Sequence, residues 1–440
     1  MDILQNNKPA EPLQRRSGLD YWSNFFLLLY ILTMPFVSAF AFTGTISMPL
    51  IFAVFLFLIM AIKIIQTGKL PDGFIGFDLV IISLFLFFTV FSYMVHGLGN
   101  SKSLNHTVAY FSTFSLFYVG IKFTFFNARD KNLMAKRALQ FIAYTTIISA
   151  LYGNVEFISA NVFGVNLNDY IPRASAAEEF YNPTVLALFY RARGFAVESG
   201  VYTQMLELFG PLTFYFMFYS GDCKWKKEFK ILYTISIILS IIFAASSATF
   251  IILPVAIAFS SIVYIKKVGQ FFAKKSWRFY VKGGFFLTLI IFINSYLTIS
   301  ASILLSIADK LDSNSLGDRQ ERINFFISQF SRFNPLNKLV GAGPAGSNIL
   351  GYEDSGTIIS LYYNITFELG IIGLFLLLLF MAYILFHNFK IKSKIGGFLM
   401  VSVVSGIVHY YVVNDYWVPW FWFIAAFTVF YEKTFTNASE

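Results

Sequence analysis

The sequence predicts an all-α polytopic membrane protein with about twelve transmembrane helices. Three observations support this fold class: the composition, a series of long apolar runs, and the placement of lysine and arginine. Of the 440 residues, 57% are hydrophobic and 13% are charged, whereas soluble domains carry roughly 25% charged residues. No alternating barrel pattern is present, so helices rather than strands are expected to cross the bilayer.

The apolar runs divide the chain into spans of helix-crossing length. The predicted spans are 22–42, 46–62, 76–95, 105–121, 138–157, 200–220, 231–246, 248–265, 283–305, 364–386, 395–413 and 416–431. The seventh and eighth are short and could form a hairpin with its turn at AASSAT, residues 244–249. All twelve make one transmembrane domain, 22–431, between cytoplasmic tails at 1–21 and 432–440.

Lysine and arginine predict the orientation of this domain. With the N-terminus inside, 24 of the 33 basic residues fall in inner segments and nine in outer ones. The two long loops, about 158–199 and 306–363, then lie outside, where we expect the chemistry to take place. The formal charge of +9 is mostly this orientation signal, so the expected partner is the lipid bilayer and not nucleic acid.

The sequence predicts no metal site and no cofactor. It contains one cysteine and four scattered histidines, and it lacks the spacing of a metal cluster. It also lacks a phosphate-cradling P-loop, so any reaction outside must use a substrate that is already activated.

The first outer loop ends in YRARGFAVESG, which places Arg191, Arg193 and Glu198 beside an apolar span. One interpretation is that the arginines extend to the lipid headgroups. The other is an anion site, because a guanidinium binds phosphate oxygens in a bidentate fork. Gly194 would allow the backbone to approach such an anion closely.

The second outer loop predicts an amphipathic helix followed by a tight glycine turn, GAGPAGSN. An apolar stripe recurs at helical spacing, and the helix would lie on the membrane face or cap the bundle. The stripe consists of Ile323, Phe326, Ile327, Phe330 and Phe333, and the basic residues beside it are Arg319, Arg322 and Arg332.

Several carboxylates lie near or within the spans. Glu353 and Asp354 precede the tenth span, where they either accept a proton from a sugar hydroxyl or form a solvated acidic loop. Glu207 and Glu368 lie inside spans, so each should face the bundle interior or a cavity. Either could instead serve a structural hydrogen bond. The aromatic run YWVPWFWF, residues 416–423, is typical of an interfacial belt.

Three motifs carry a resemblance to a known family: RxRGF followed by glutamate, GAGPAGSN, and DSGTIISLYYNITFELGIIGLFL. Together they resemble the O-antigen ligase/polymerase superfamily, which includes Wzy-type polymerases and WaaL-type ligases. The resemblance covers most of residues 130–390. It implies a GT-C-type membrane glycosyltransferase that joins glycans carried on undecaprenyl pyrophosphate, at the outer face of the bacterial inner membrane.

Site residues follow from the resemblance. It implies that Arg191 and Arg193, with Arg319, Arg322 or Arg332, hold the pyrophosphate. Asp354 or Glu198 is the expected base, and the expected residues of the substrate cavity are Gly343, Glu353, Glu368 and Glu207. The expected enzyme is metal-independent and inverting, and it acts with a flippase and a chain-length regulator of the same pathway.

The sequence favours polymerase over ligase within this family. Arg332 and Gly343 match a polymerase pattern of arginine followed eleven residues later by glycine, although the first loop lacks such a match. Ligases carry a His-Asn pair before the tenth-span glycines, whereas this chain has Asp354-Ser355-Gly356 there. The alternatives are an O-antigen ligase, a lipid-linked oligosaccharide flippase or transporter, and a peptidoglycan polymerase of the shape–elongation–division type.

Overall fold

The computed structural model describes residues 18–41, 46–173, 185–186, 189–264, 314–349, 358 and 360–436, with the backbone alone at 185–186, 189, 314–320 and 348–349. The predicted span 283–305 and the candidates Glu353 and Asp354 lie outside the described residues.

The described chain is almost entirely helical. Its helices are α1 Gly18–Thr33, α2 Met48–Thr67, α3 Phe77–Ser92, α4 Ser101–Ser112, α5 Ile121–Phe126, α6 Lys131–Val162, α7 Ser199–Phe218, α8 Lys227–Ala244, α9 Ser247–Val263, α10 Asn314–Arg332, α11 Pro335–Val340, α12 Gly346–Ile349, α13 Leu361–Lys390, α14 Lys394–His409 and α15 Trp420–Phe435. The π-helical segment Tyr93–Gly97 extends α3, and Thr113–Gly120 joins α4 to α5. A 3₁₀ turn covers Leu167–Tyr170. Strands β1 Val185–Leu186 and β2 Phe189–Tyr190 form a small antiparallel hairpin.

Five of the described helices are long and apolar enough to cross a membrane: Met48–Thr67, Phe77–Gly97, Ser101–Phe126, Lys131–Val162 and Leu361–Lys390. Helices α9 and α14 are apolar but shorter. Each predicted span other than 283–305 overlaps a described helix. These observations support a helical membrane protein.

Helix α15 lies at the centre of the bundle, and its residues from Trp420 to Phe430 are all buried. The indole N–H of Trp420 donates to the carbonyl of Met34 at 2.8 Å, and that of Trp422 donates to the carbonyl of Tyr416 at 2.7 Å. The interfacial-belt interpretation was therefore wrong for α15, although Trp417 is exposed. A buried tryptophan is stable in a core when its N–H finds such a partner.

The loops predicted to lie outside meet the ends of neighbouring predicted spans at one end of the bundle, here called the loop end. The Ser38 hydroxyl donates to the carbonyl of Phe195 at 3.0 Å, and the Leu361 N–H donates to the carbonyl of Tyr410 at 3.0 Å. Segments predicted to lie inside meet at the opposite end, where Lys433 donates to the carbonyl of Gly73 at 3.0 Å. The side of the membrane that each end faces stays a prediction.

Helix α13 is broken at Gly370, which has φ of 69° and ψ of −169°. The turn at residues 341–346 packs into this break. The N–H groups of Ala342 and Gly343 donate to the carbonyls of Phe367 and Glu368, at 2.8 and 3.1 Å. A helix break leaves backbone carbonyls without partners, and such groups must be satisfied inside a membrane protein. The glycine turn therefore completes the broken helix.

Helix α10 confirms the predicted helix of the second loop, and it packs on the start of α13. The Phe326 ring stacks on Tyr363 with centroids 4.8 Å apart, and Phe333 lies 5.1 Å from Phe367. Ile327, which belongs to the same apolar stripe, is 56% exposed. Part of the stripe therefore covers the bundle, as the capping alternative expects.

Substitution of Gly370 by alanine should prevent normal folding. The left-handed backbone there disfavours any side chain, and an added Cβ would collide with the carbonyl of Leu339. We expect a loss of about 3 kcal/mol or more, measured as lower thermal stability and yield of monodisperse protein in detergent. Gly210→Ala is the control, because its Cβ would lie 3.9 Å from Ile237. Equal stability of the two variants would contradict the role of the break.

Candidate functional site

The loop end carries two polar clusters. The first surrounds the segment RARGFAVE, residues 191–198, here called the arginine loop. Its backbone curls around the carboxylate of Glu156 near the end of α6. Glu156 Oε2 accepts from the N–H groups of Arg193 at 3.1 Å and of Gly194 at 2.7 Å. Gly194 has φ of 55°, and an added Cβ there would collide with the Tyr202 ring. The conformation of the loop therefore requires glycine at this position.

Arg173 holds the same loop from the other side. Its guanidinium donates to the carbonyl of Ala196 at 2.5 Å and to that of Gly194 at 2.9 Å. It also donates to Asn168, whose amide in turn donates to Glu156 at 2.5 Å. Arg173 and Glu156 therefore act together to fix the shape of the arginine loop.

The two arginines predicted from the sequence lie at different depths. Arg193 is buried, with its Nη1 atom 3.3 Å from the carbonyl of Val197 and its Nε atom 4.0 Å from Glu156 Oε1. Arg191 is half-buried, and its Nε donates to the carbonyl of Ala244 at 2.9 Å. Burial lowers the pKa of Arg191 to about 10, against the opposing effect of the Glu198 carboxylate. Arg191 therefore stays positively charged at neutral pH.

Two carboxylates influence each other beside this loop. Glu198 precedes α7 and is exposed, whereas Asp415 is half-buried in the turn between α14 and α15. Burial and, to a smaller extent, the Glu198 carboxylate raise the pKa of Asp415 to about 7, against the opposing effect of His409. The arginine loop and the α14–α15 turn therefore lie within electrostatic range of each other.

The second polar cluster is the Glu368 cluster, made of Glu368, His106, Tyr110 and the N–H of Ala345. Glu368 Oε2 accepts from the Tyr110 hydroxyl at 2.6 Å. Its Oε1 accepts from the Ala345 N–H at 3.0 Å and lies 3.1 Å from His106 Nδ1. The Tyr110 ring stacks on Tyr416 with centroids 4.4 Å apart. Because Tyr416 follows Asp415 in the chain, the α14–α15 turn connects the two clusters.

Glu207 forms a separate buried pair. Its Oε2 lies 2.7 Å from Nδ1 of His409, and neither side chain is exposed. Glu207 and Glu368 thus both face the bundle interior, but they have different partners.

The remaining predicted residues are more dispersed. Gly343 is buried with φ of 92°, and an added Cβ there would lie 3.0 Å from the Cβ of His96. Its N–H donates to the backbone carbonyl of Glu368. Arg322 is half-buried and Arg332 is exposed on α10, where Arg319 is described by its backbone alone. The described contacts do not bring these three arginines to the arginine loop.

Sequence reasoning missed Glu156, Arg173, His106 and Tyr110. Glu156 lies in a predicted span, and an ionisable group there is a signal of a buried site. His106 also lies in a predicted span, but its pairing leaves no local pattern, because its partner Glu368 is 262 positions away. Among the described residues, no group of three or more histidine, cysteine, aspartate or glutamate side chains could hold a metal ion.

Two comparisons with known proteins found no match. No family model matches the chain, and no curated protein matches it significantly.

Asp415→Asn should make the protein more stable at alkaline pH. In the folded state the pKa of Asp415 is about 7, above its ordinary value of 3.8, so ionisation destabilises the native state. This penalty is absent below pH 3.8, grows as the pH rises from 3.8 to about 7, and is complete above about pH 7. Thermal unfolding in detergent should show a higher Tm for the variant at pH 8 and a shrinking difference toward pH 5.

The control for this experiment is Asp72→Asn, at an exposed aspartate in the loop between α2 and α3. It should follow the wild-type Tm at each pH. A pH-independent effect of Asp415→Asn would contradict the assignment.

Proposed function

We propose that this protein is a membrane glycosyltransferase of the GT-C type, with twelve spans, in the bacterial inner membrane. It polymerises undecaprenyl-pyrophosphate-linked oligosaccharide units into O-antigen or a related surface polysaccharide. The observation that supports this most is the arginine loop, a hydrogen-bonded turn that carries two guanidinium groups. Arg191 lies within electrostatic range of the Glu198 carboxylate, and Glu198 lies within electrostatic range of Asp415. The choice of the O-antigen ligase/polymerase superfamily depends on the resemblance of the three sequence motifs.

The proposed reaction joins two lipid-linked glycans. A sugar hydroxyl of the acceptor attacks the anomeric carbon of the donor, and the bond from that carbon to the pyrophosphate oxygen breaks. Arg193 and Arg191 stabilise the departing pyrophosphate, on which negative charge develops. A single displacement inverts the configuration at the anomeric carbon. The substrate is activated by its own pyrophosphate, as a reaction outside the cytoplasm requires.

The rigidity of the arginine loop favours this role. Charge stabilisation is strongest when the donors are already positioned and need not reorganise during the reaction. Glu156 binds two backbone N–H groups of the loop, and Arg173 binds two of its carbonyls. Both residues therefore contribute to catalysis through the loop rather than through the substrate.

The carboxylates have a supporting role in this proposal. With a pKa of about 7, Asp415 is partly protonated at neutral pH, so it can donate to a sugar hydroxyl as well as accept from one. Glu198 is exposed next to Arg191 and can also contact the glycan. Asp354 stays a predicted base in the second loop.

A transporter of lipid-linked oligosaccharide is the second candidate. The buried Glu207–His409 pair favours it, because ionisable groups inside spans often serve proton or substrate transport. A polymerase lengthens the glycan, whereas a flippase moves it unchanged. Gel analysis of the glycan made in the native host therefore distinguishes the two functions.

Removal of Arg193 should abolish long polymer. In a deletion strain complemented with Arg193→Ala, we expect single-repeat caps in place of a ladder on a polysaccharide gel. Arg193→Lys keeps the charge but not the bidentate fork, so we expect at least a tenfold loss of long chains. Protein level and Tm must be measured alongside, because Arg193 also contacts its own loop.

The matched control is Arg137→Ala, at an exposed arginine of α6 in the segment predicted to lie inside. It should retain the full ladder. A normal ladder from Arg193→Ala at normal protein level would refute the assignment of this arginine.

A further inference from the structure

We propose that His106 accepts the proton of the attacking sugar hydroxyl and that Glu368 is the positioning residue for its imidazole. This inference depends on the proposed glycosyl transfer. It assigns a residue that the sequence does not single out.

The bonding of Glu368 fixes the tautomer of His106. The carboxylate receives the Tyr110 hydroxyl and the Ala345 N–H, and His106 Nδ1 lies 3.1 Å from Oε1. Because both Glu368 oxygens act as acceptors toward these two donors, we assign the imidazole proton to Nδ1, which then donates a hydrogen bond to Oε1. The other ring nitrogen, Nε2, then has a lone pair and can act as a base.

Exposure distinguishes this histidine from two others with the same type of partner. In the Glu368 pair, the histidine side chain is 31% exposed and the carboxylate 1%. In the His387–Glu432 pair the values are 7% and 3%, and in the His409–Glu207 pair both are zero. Of these described pairs, His106 alone reaches the surface while its carboxylate stays buried, which is the arrangement a general base requires.

The position of His106 also fits the reaction. Tyr110, one helical turn along α4 from His106, stacks on Tyr416. Asp415, the residue before Tyr416, interacts electrostatically with Glu198. The arginine loop and the Glu368 cluster thus both lie near the α14–α15 turn. A donor pyrophosphate at the arginine loop would place its sugar toward this turn and the acceptor hydroxyl toward His106.

The proposed step is balanced without a further reactant. The acceptor oxygen forms a bond to the anomeric carbon, and its proton passes to His106 Nε2. The bond between that carbon and the pyrophosphate oxygen breaks, and the pyrophosphate leaves with the electron pair. The imidazolium then releases its proton to water, which restores the starting state.

A pH-rate profile tests this assignment. The titratable groups around the imidazole are Glu368, Tyr110 and Tyr416, with His96 packed on the same glycine turn. Neutral imidazole is the active form, so the wild-type rate should fall on the acid side of the profile, where the imidazole becomes protonated. His106→Gln should lower the rate by about 100-fold or more and remove this acid limb. Glu368→Gln should lower the rate less and shift the limb.

The assay uses membranes from the deletion strain that carry the full-length variant, with lipid-linked repeat units as substrate. The control is His387→Gln, which alters a histidine–carboxylate pair at the opposite end of the bundle. It should leave the pH profile unchanged even if Tm falls. His106→Ala with added imidazole provides a second test, because a free base can restore the rate of a catalytic histidine variant but not of a structural one.

The outcomes separate this inference from the proposed function. If deletion of the gene leaves the polysaccharide ladder intact, the proposed function itself fails. If deletion removes the ladder but His106→Gln polymerises at the wild-type rate, the function stands and the base assignment is overturned. Loss of activity only in proportion to lost folded protein, without rescue by imidazole, also overturns it.

Discussion

The break in α13 at Gly370 is the constraint on which the geometry of the loop end depends. A continuous helix would keep the carbonyls of Phe367 and Glu368 within its own hydrogen bonds. The break releases them to Ala342 and Gly343, and this holds the glycine turn against α13. The same turn then presents the Ala345 N–H to the Glu368 side chain. One left-handed residue therefore sets the position of the carboxylate that orients His106.

The arginine loop is likewise held by hydrogen bonds to its backbone, here from two side chains of opposite charge. Glu156 compensates the backbone N–H groups, and Arg173 compensates the carbonyls, so the loop is held without any regular secondary structure. Buried charges are costly unless each has partners, and these two provide them for each other through Asn168. The bundle can therefore keep guanidinium groups at its end in a fixed arrangement, which a flexible loop could not do.

The sequence predicted local features well and long-range pairings poorly. Apolar length is a property of each segment, so each predicted span within the described residues overlaps a helix, and five of the described helices are long and apolar enough to cross a membrane. The pair His106–Glu368 arises from helices far apart in the chain and leaves no local pattern. The aromatic run at Trp420 and Trp422 suited both a membrane interface and a core, because the indole N–H can be satisfied by water or by a carbonyl. In the structure the indole N–H groups donate to the carbonyls of Met34 and Tyr416, which allows both rings to lie in the core.

The order of these pieces along the chain has a consequence for biogenesis. The half-helix before Gly370 contains nine residues, Leu361 to Leu369, far fewer than the roughly 20 needed to cross a bilayer alone. Its hydrogen-bond donors, the glycine turn and Ser92 of α3, are synthesised earlier. A nascent chain can therefore supply these donors as soon as the half-helix emerges from the ribosome, before bare carbonyls meet lipid.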